Sequence, residues 1–231
     1  MARLPRYVIP GQTQNITQRS VNGHAVFKST ADFTYFRDLL AETAGRHGLA
    51  VHSYVLMRNH VHLVATPVEA SSLSKTLQVV GLLYVQYFHA KYKRKGPLWE
   101  SRYRATVVDN AEYMLSIMRY IESNPLRVGA TTNARDYPWS SHGLYAYGEA
   151  GPAENWLTPP DEYMQLAATD TTRRQAYRKF FNRVEDMALT EEIRNATHKG
   201  WALGDARFQA LIETYCDRRA TAHPRGRPRK L

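Results

Sequence analysis

Apolar positions along the first two thirds of the chain follow two periods, and their order predicts the elements. Gln12 to Gln18 reads as a first strand, with Pro10 and Gly11 keeping the preceding residues out of the ladder. Phe33, Phe36, Leu39, Leu40 and Thr43 recur at helical spacing and predict a helix over Ala31 to His47, capped by Ser29 or Thr30 and ended by Gly48. Leu49 to Met57 is β-rich, Arg58-Asn59 makes a tight turn, and Val61 to Thr66 returns as the partner strand. A helix opens at Ser71 or Ser72 and runs to about Tyr92, and Arg104 to Val108 forms a short strand. Asp109 and Asn110 then cap a helix with an apolar stripe of Leu115, Ile117, Met118 and Ile121, which Asn124-Pro125 bends or ends. This βαββαβα order with a central hairpin predicts an antiparallel sheet with helices on one face, an α+β sandwich of ferredoxin-like type.

The pattern changes after Tyr147. Gly148 to Pro160 collects two Gly and three Pro with little periodicity, so residues 148–170 read as a linker between a first domain, 1–147, and a helical accessory region, 171–217. In that region Arg173, Arg174, Arg178, Lys179 and Arg183 interleave with Tyr177, Phe180 and Phe181. It is either a module that grips duplex or a cover over one sheet edge. Residues 218–231 read as a basic tail, ending in Pro224-Arg225-Gly226-Arg227-Pro228-Arg229-Lys230.

Charge adds a partner. Lys and Arg total 31 against 21 Asp and Glu, a formal net charge of +10, which makes a polyanion the default ligand. With 43% hydrophobic residues the chain has ample material for a core, so disorder over most of its length is excluded. The longest nearly apolar run, Val79 to Phe88, is about half of a bilayer span, and the N-terminal residues lack the apolar core of a signal peptide. No membrane association is expected. The one cysteine, Cys216, excludes an intrachain disulfide and a Cys-based zinc cluster, and points to a cytoplasmic compartment.

His60 and His62 stand two apart at the start of a strand, so both rings project to one face while Val61 projects to the other. Such a pair is a good start for a divalent metal site, or else two unrelated histidines on a half-exposed face. On the helix after Asn110, Tyr120 and Asn124 are i, i+4 neighbours, with the Asn124 amide oxygen free to ligate and Glu122 directed elsewhere.

Several motifs in order resemble those of the REP-associated tyrosine transposases, single-tyrosine members of the HUH endonucleases. They are Met57-Arg58-Asn59-His60-Val61-His62-Leu63, Gly96-Pro97-Leu98-Trp99-Glu100-Ser101-Arg102-Tyr103, Arg119-Tyr120-Ile121-Glu122-Ser123-Asn124-Pro125 and Tyr137-Pro138-Trp139-Ser140-Ser141. The resemblance implies an enzyme that nicks and joins single-stranded DNA beside a hairpin, dependent on Mg²⁺ or Mn²⁺. It further implies His60, His62 and Asn124 as metal ligands and Tyr120 as the nucleophile, which forms a covalent 5′-phosphotyrosine. The chain departs from the family pattern at Asn15, where His is common, at Arg58, where Pro is usual, at Ser20 and at Ser123. A non-catalytic DNA- or RNA-binding protein on the same scaffold is the alternative.

Two segments are expected to touch DNA. Lys93, Arg94, Lys95, Arg102 and Arg104 surround Trp99, a combination of phosphate-neutralising and base-stacking groups suited to a single-strand groove; otherwise Leu98 and Trp99 anchor a loop to the core. In the tail, Arg225 and Arg227 flank Gly226 as in an AT-hook, which places guanidiniums in the minor groove of A·T-rich duplex, or they belong to a nonspecific basic tail.

Overall fold

A computed structural model describes residues 6–7, 9–149, 155–216 and 218–221. Arg225 and Arg227 therefore lie outside the described residues. The first unit contains β1 (Gln14–Arg19), α1 (Thr30–His47), β2 (Leu49–Met57), β3 (His60–Pro67), α2 (Ser72–Tyr92), β4 (Arg104–Val107) and α3 (Asn110–Glu122). The strands form one antiparallel sheet in the order β2-β3-β1-β4, the arrangement expected of a ferredoxin-like sandwich.

Side-chain alternation divides the sheet into two faces. Ile16, Val61, Leu63 and Ala65 join Phe36, Leu40 and Ala44 of α1 and Val80, Tyr84 and Phe88 of α2 in one core. A bulge between Val51 and Ser53 resets the parity of β2, so Val51 and Tyr54, three residues apart, both enter this core. Gly48 ends α1 in a left-handed conformation (φ +63), where a Cβ would also meet Val68 at 3.3 Å. Asp32 of α1 is buried and accepts hydrogen bonds from the Lys28 and Ser29 amides, Tyr87 Oη, Tyr92 Oη and Lys91 Nζ.

Helices α1 and α2 share one face, as expected. The opposite face is covered too, by α3 and by the C-terminal helices. These are α5 (His142–Tyr147), α6 (Asp161–Met164), α7 (Asp170–Phe181) and α8 (Met187–Lys199), preceded by a short α4 (Asn124–Arg127), while Ile212 of α9 (Ala206–Tyr215) packs with Tyr7 and Val107 in a smaller third core. Val55, Met57 and Val64 of the sheet pack with Met114, Ile117, Met118 and Ile121 of α3, and Tyr145, Tyr163, Tyr177, Ile193 and Ala196 complete the same core.

This corrects the expected organisation. In its described part, the segment read as a linker (148–170) is packed: Leu157 is buried in the first core, the Thr158 amide bonds to Val51 O, and Tyr163 is buried in the second. From the region read as accessory (171–217), Tyr177 of α7 and Ile193 and Ala196 of α8 likewise share a core with α3. Apolar stripes on α7 and α8 need a partner, and the open sheet face supplies it.

Both outer strands are covered along part of their length. The amide of Leu56 bonds to Trp139 O and that of Ser141 to Tyr54 O, so the Tyr-Pro-Trp-Ser-Ser motif runs along β2. On the far side the Leu203 amide bonds to Val107 O.

Candidate active site

Register decides which side chains meet at the second face. Thr17 and Val55 lie opposite His62, and Arg19 and Met57 lie opposite His60. The two-residue connection Arg58-Asn59 is held by its carbonyls, which accept the Val26 and Phe27 amides at Arg58 and the Ser20 amide at Asn59. The turn is thus fixed without the proline usual at position 58.

The two imidazole rings are 5.1 Å apart between centroids and nearly perpendicular. His60 Nδ1 donates to Asn59 Oδ1 at 2.8 Å, which leaves the lone pair on Nε2. His62 is buried, and its Nδ1 has no hydrogen-bond partner among the described residues. Burial, with Arg19 nearby, pushes His60 down to about 4. Burial also holds His62 well below the ordinary histidine range, with His60, Arg19 and Arg127 adding to the effect. Both rings are therefore neutral near pH 7, the form in which an imidazole offers a nitrogen to a metal.

Tyr120 reaches the same place from α3, its ring 6.4 Å from that of His62. The helix breaks just after it. The Ser123 hydroxyl bonds to Arg119 O at 2.7 Å, and the chain turns into α4 at Asn124. Arg127 then folds back: its guanidinium carbon lies 4.4 Å from the Tyr120 ring centroid, and Nη1 donates to Tyr120 O (2.7 Å) and to Asn124 Oδ1 (3.2 Å). Asn124 is thus brought beside the tyrosine, with its amide oxygen held by Arg127.

Glu122 anchors this helix. Fully buried, it accepts hydrogen bonds from Ser53 Oγ (3.1 Å), Ser141 Oγ (2.6 Å) and Tyr177 Oη (2.9 Å), and it pairs with His142 Nδ1 at 3.2 Å. One carboxylate therefore ties α3 to β2, α5 and α7.

A cavity of about 170 Å³ lies between His62 and Tyr120. Arg19, Arg102, Arg104 and Arg194 line it against one carboxylate, Glu100, so the field inside favours an anion. Helix α8 forms a wall: Asn15 Nδ2 donates to Thr197 Oγ1 at 2.7 Å, Thr106 Oγ1 to Ala196 O at 3.0 Å, and Arg104 Nη1 to His198 O at 2.6 Å. Asn15, where His is common, is what docks this helix on β1.

The expected groove residues divide. Arg102 and Arg104 line the cavity, whereas Lys93, Arg94 and Lys95 follow the end of α2 and are absent from its lining. Trp99 corrects the expectation of a base-stacking platform. Its ring packs 6.2 Å from Phe36 and 6.3 Å from Tyr84 in the first core, where it anchors the loop.

Residues 16–124 match the family model for IS200-like transposases. That stretch, 109 of 231 residues, is similar to that family. The matched stretch contains His60, His62, Tyr120 and Asn124. The fold of the chain is shared with a solved REP-associated tyrosine transposase bound to a REP hairpin, at a TM-score of 0.53 and 20% identity, covering 67% of this chain and 94% of that one. A candidate transposase from Deinococcus radiodurans R1 aligns at a TM-score of 0.38 and 18% identity, over 53% of this chain and 97% of that one. No curated protein matches the sequence significantly.

Sequence reasoning missed several residues of this site. Arg19 depends on strand register, and Arg194, Thr197 and His198 come from a helix whose docking no local pattern announces. Arg127 had a signal: it lies seven residues after Tyr120, a spacing that returns to the same helical face.

Proposed function

We propose that this transposase cuts and rejoins single-stranded DNA beside a hairpin through Tyr120, with Mg²⁺ or Mn²⁺ held by His60 and His62. The meeting of the His60–His62 pair with Tyr120, at a cavity that His62 and Tyr120 line together with four arginines, carries this reading. Among the described residues no group of three or more His, Cys, Asp or Glu forms a metal cluster. The donor set is instead two imidazole nitrogens, the Asn124 amide oxygen and open positions for phosphate and water. The unpartnered Nδ1 of buried His62 fits such a role, because a buried nitrogen left without a partner is otherwise costly. When bound, the ion neutralises charge on a non-bridging phosphate oxygen.

The rest falls to the protein. Tyr120 Oη attacks the phosphorus, the P–O bond to the 3′ carbon breaks, the phenolic proton passes to water, and the departing 3′ oxygen takes up a proton. A 5′-phosphotyrosine and a free 3′-hydroxyl result. The ester keeps the energy of the broken bond, so a second 3′-hydroxyl can reverse the step without ATP. Arg102 and Arg104 neutralise the strand on either side of the reacting phosphate. Arg225 and Arg227 of the tail contact duplex minor groove.

The test is a covalent adduct. Incubated with Mn²⁺ and an oligonucleotide carrying a single-stranded flank beside a hairpin, the protein gives a shifted band on a denaturing gel. The band disappears in Tyr120→Phe and in His62→Ala; a band that survives Tyr120→Phe overturns the reading. Deletion of Pro224 to Leu231 lowers duplex affinity and flattens its salt dependence, and an unchanged slope removes the tail from the account.

A further inference from the structure

Arg127 makes four contacts, and three of them surround the tyrosine site. Its guanidinium carbon lies over the Tyr120 ring, and Nη1 holds both the Tyr120 carbonyl and the Asn124 amide oxygen. The fourth partner is Glu185, whose Oε1 lies 3.3 Å from Nη2. Glu185 belongs to the connection between α7 and α8, outside the stretch that matches the family model. That connection is latched a second time, because Arg119 donates to Arg183 O. A shallow cavity joins the two sides, lined by Arg119, Tyr120, Arg127 and Glu185.

A guanidinium held by one carboxylate oxygen beside Tyr120 is placed to receive a tetrahedral anion. Its fork presents two N–H groups to paired oxygens, and a phosphate diester offers the same geometry as a carboxylate with its charge spread over two oxygens. Both partners are partly exposed, at 27% and 38% of their side-chain surface, and a pair of this kind contributes only about 0–1 kcal/mol. An incoming phosphate can therefore displace it. The same move changes Asn124, since a guanidinium drawn toward phosphate no longer occupies the amide oxygen.

We propose that Arg127 receives the scissile phosphodiester of single-stranded DNA, and that Glu185 occupies this guanidinium as a stand-in anion until the strand arrives. This rests on the reading of Tyr120 as the nucleophile. Arg127 is then a catalytic residue that touches the reacting phosphate, and Glu185 is an autoinhibitory contact supplied by the C-terminal region.

The experiment separates the two claims. In a Tyr120→Phe background and without divalent metal, binding is measured for two hairpin-flanked oligonucleotides, one unmodified and one with an uncharged methylphosphonate at the cleaved position. The protein with Arg127 intact prefers the charged oligonucleotide about tenfold, as expected for one charge-assisted contact, and Arg127→Ala removes the preference. A residue that only stiffens the helix end would leave that ratio unchanged, and an unchanged ratio overturns the proposal. In the single-turnover adduct assay Arg127→Ala slows adduct formation by about a hundredfold or more, Arg127→Lys recovers part of the rate, and Glu185→Gln raises it severalfold at limiting DNA. If Tyr120→Phe abolishes the adduct while Arg127→Ala stays within threefold of the parent, the nucleophile stands and the proposal falls. If Tyr120→Phe still forms the adduct, both fall.

Discussion

Single side chains decide how firmly this site is built. Glu122 gathers two serines, a histidine and a tyrosine in the core beneath the helix that carries Tyr120. Removing it leaves those donors without a partner, so Glu122→Ala is expected to lose about 3 kcal/mol or more in urea unfolding. Asp32 makes a separate prediction about acid. Burial alone would raise its pKa, but hydrogen bonds from Lys91, Tyr92, the Lys28 amide and Tyr87 outweigh it and hold the group at about 2. A carboxylate depressed in the folded state stabilises fully above its ordinary value and loses that contribution as pH falls through the folded value. Between about pH 4 and pH 2 the protein should therefore lose about 2 kcal/mol, a loss absent from Asp32→Asn. Lys91 is committed to this pair and is a poor candidate for contacting DNA.

At the level of elements, the loop from α2 to β4 shows what local sequence can and cannot disclose. Its composition, cations around aromatic rings, fits both a groove and an anchored connection, and only packing separates the two. Trp99 is the anchor, so Trp99→Ala is expected to cost about 3–5 kcal/mol in stability, measured by chemical denaturation, while the affinity of the folded protein for single-stranded DNA stays unchanged. An affinity lost together with intact stability would return the ring to the groove. The strands and first three helices were legible because their apolar periods are clean, and the alternation in β3 correctly sent His60 and His62 to one face. Register was not legible, so the pairing of Arg19 with His60 was hidden. The segment after Gly148 looked like a linker because Gly and Pro break periodicity, even though Leu157 and Tyr163 still pack.

For the molecule as a whole, charge is divided by geometry rather than spread evenly. Four arginines converge on the cavity beside Tyr120 from β1, β4, α8 and the loop before β4. Each one that contacts phosphate should release counterions. Arg102→Ala and Arg104→Ala are expected to reduce the log–log salt slope of single-strand binding by about 0.7 each, whereas changes at Lys93 and Lys95 should move it less. The largest surprise at this scale is that the C-terminal helices are part of the site and not an attachment. Arg194 and His198 line the cavity, and Asn15 and Thr197 secure their helix to the sheet. Among the described residues, no helix is long and apolar enough to cross a membrane.

The coverings on the two outer strands have a further effect. An open strand edge is a template on which another chain can lay itself, and with repeated additions it grows into fibrils. Here Trp139 and Ser141 occupy backbone groups of β2, and Leu203 occupies Val107 on β4. Copies of this chain are thereby protected from fusing sheet to sheet at those positions. The Tyr-Pro-Trp-Ser-Ser segment, whose Ser141 also donates to Glu122, thus guards solubility as well.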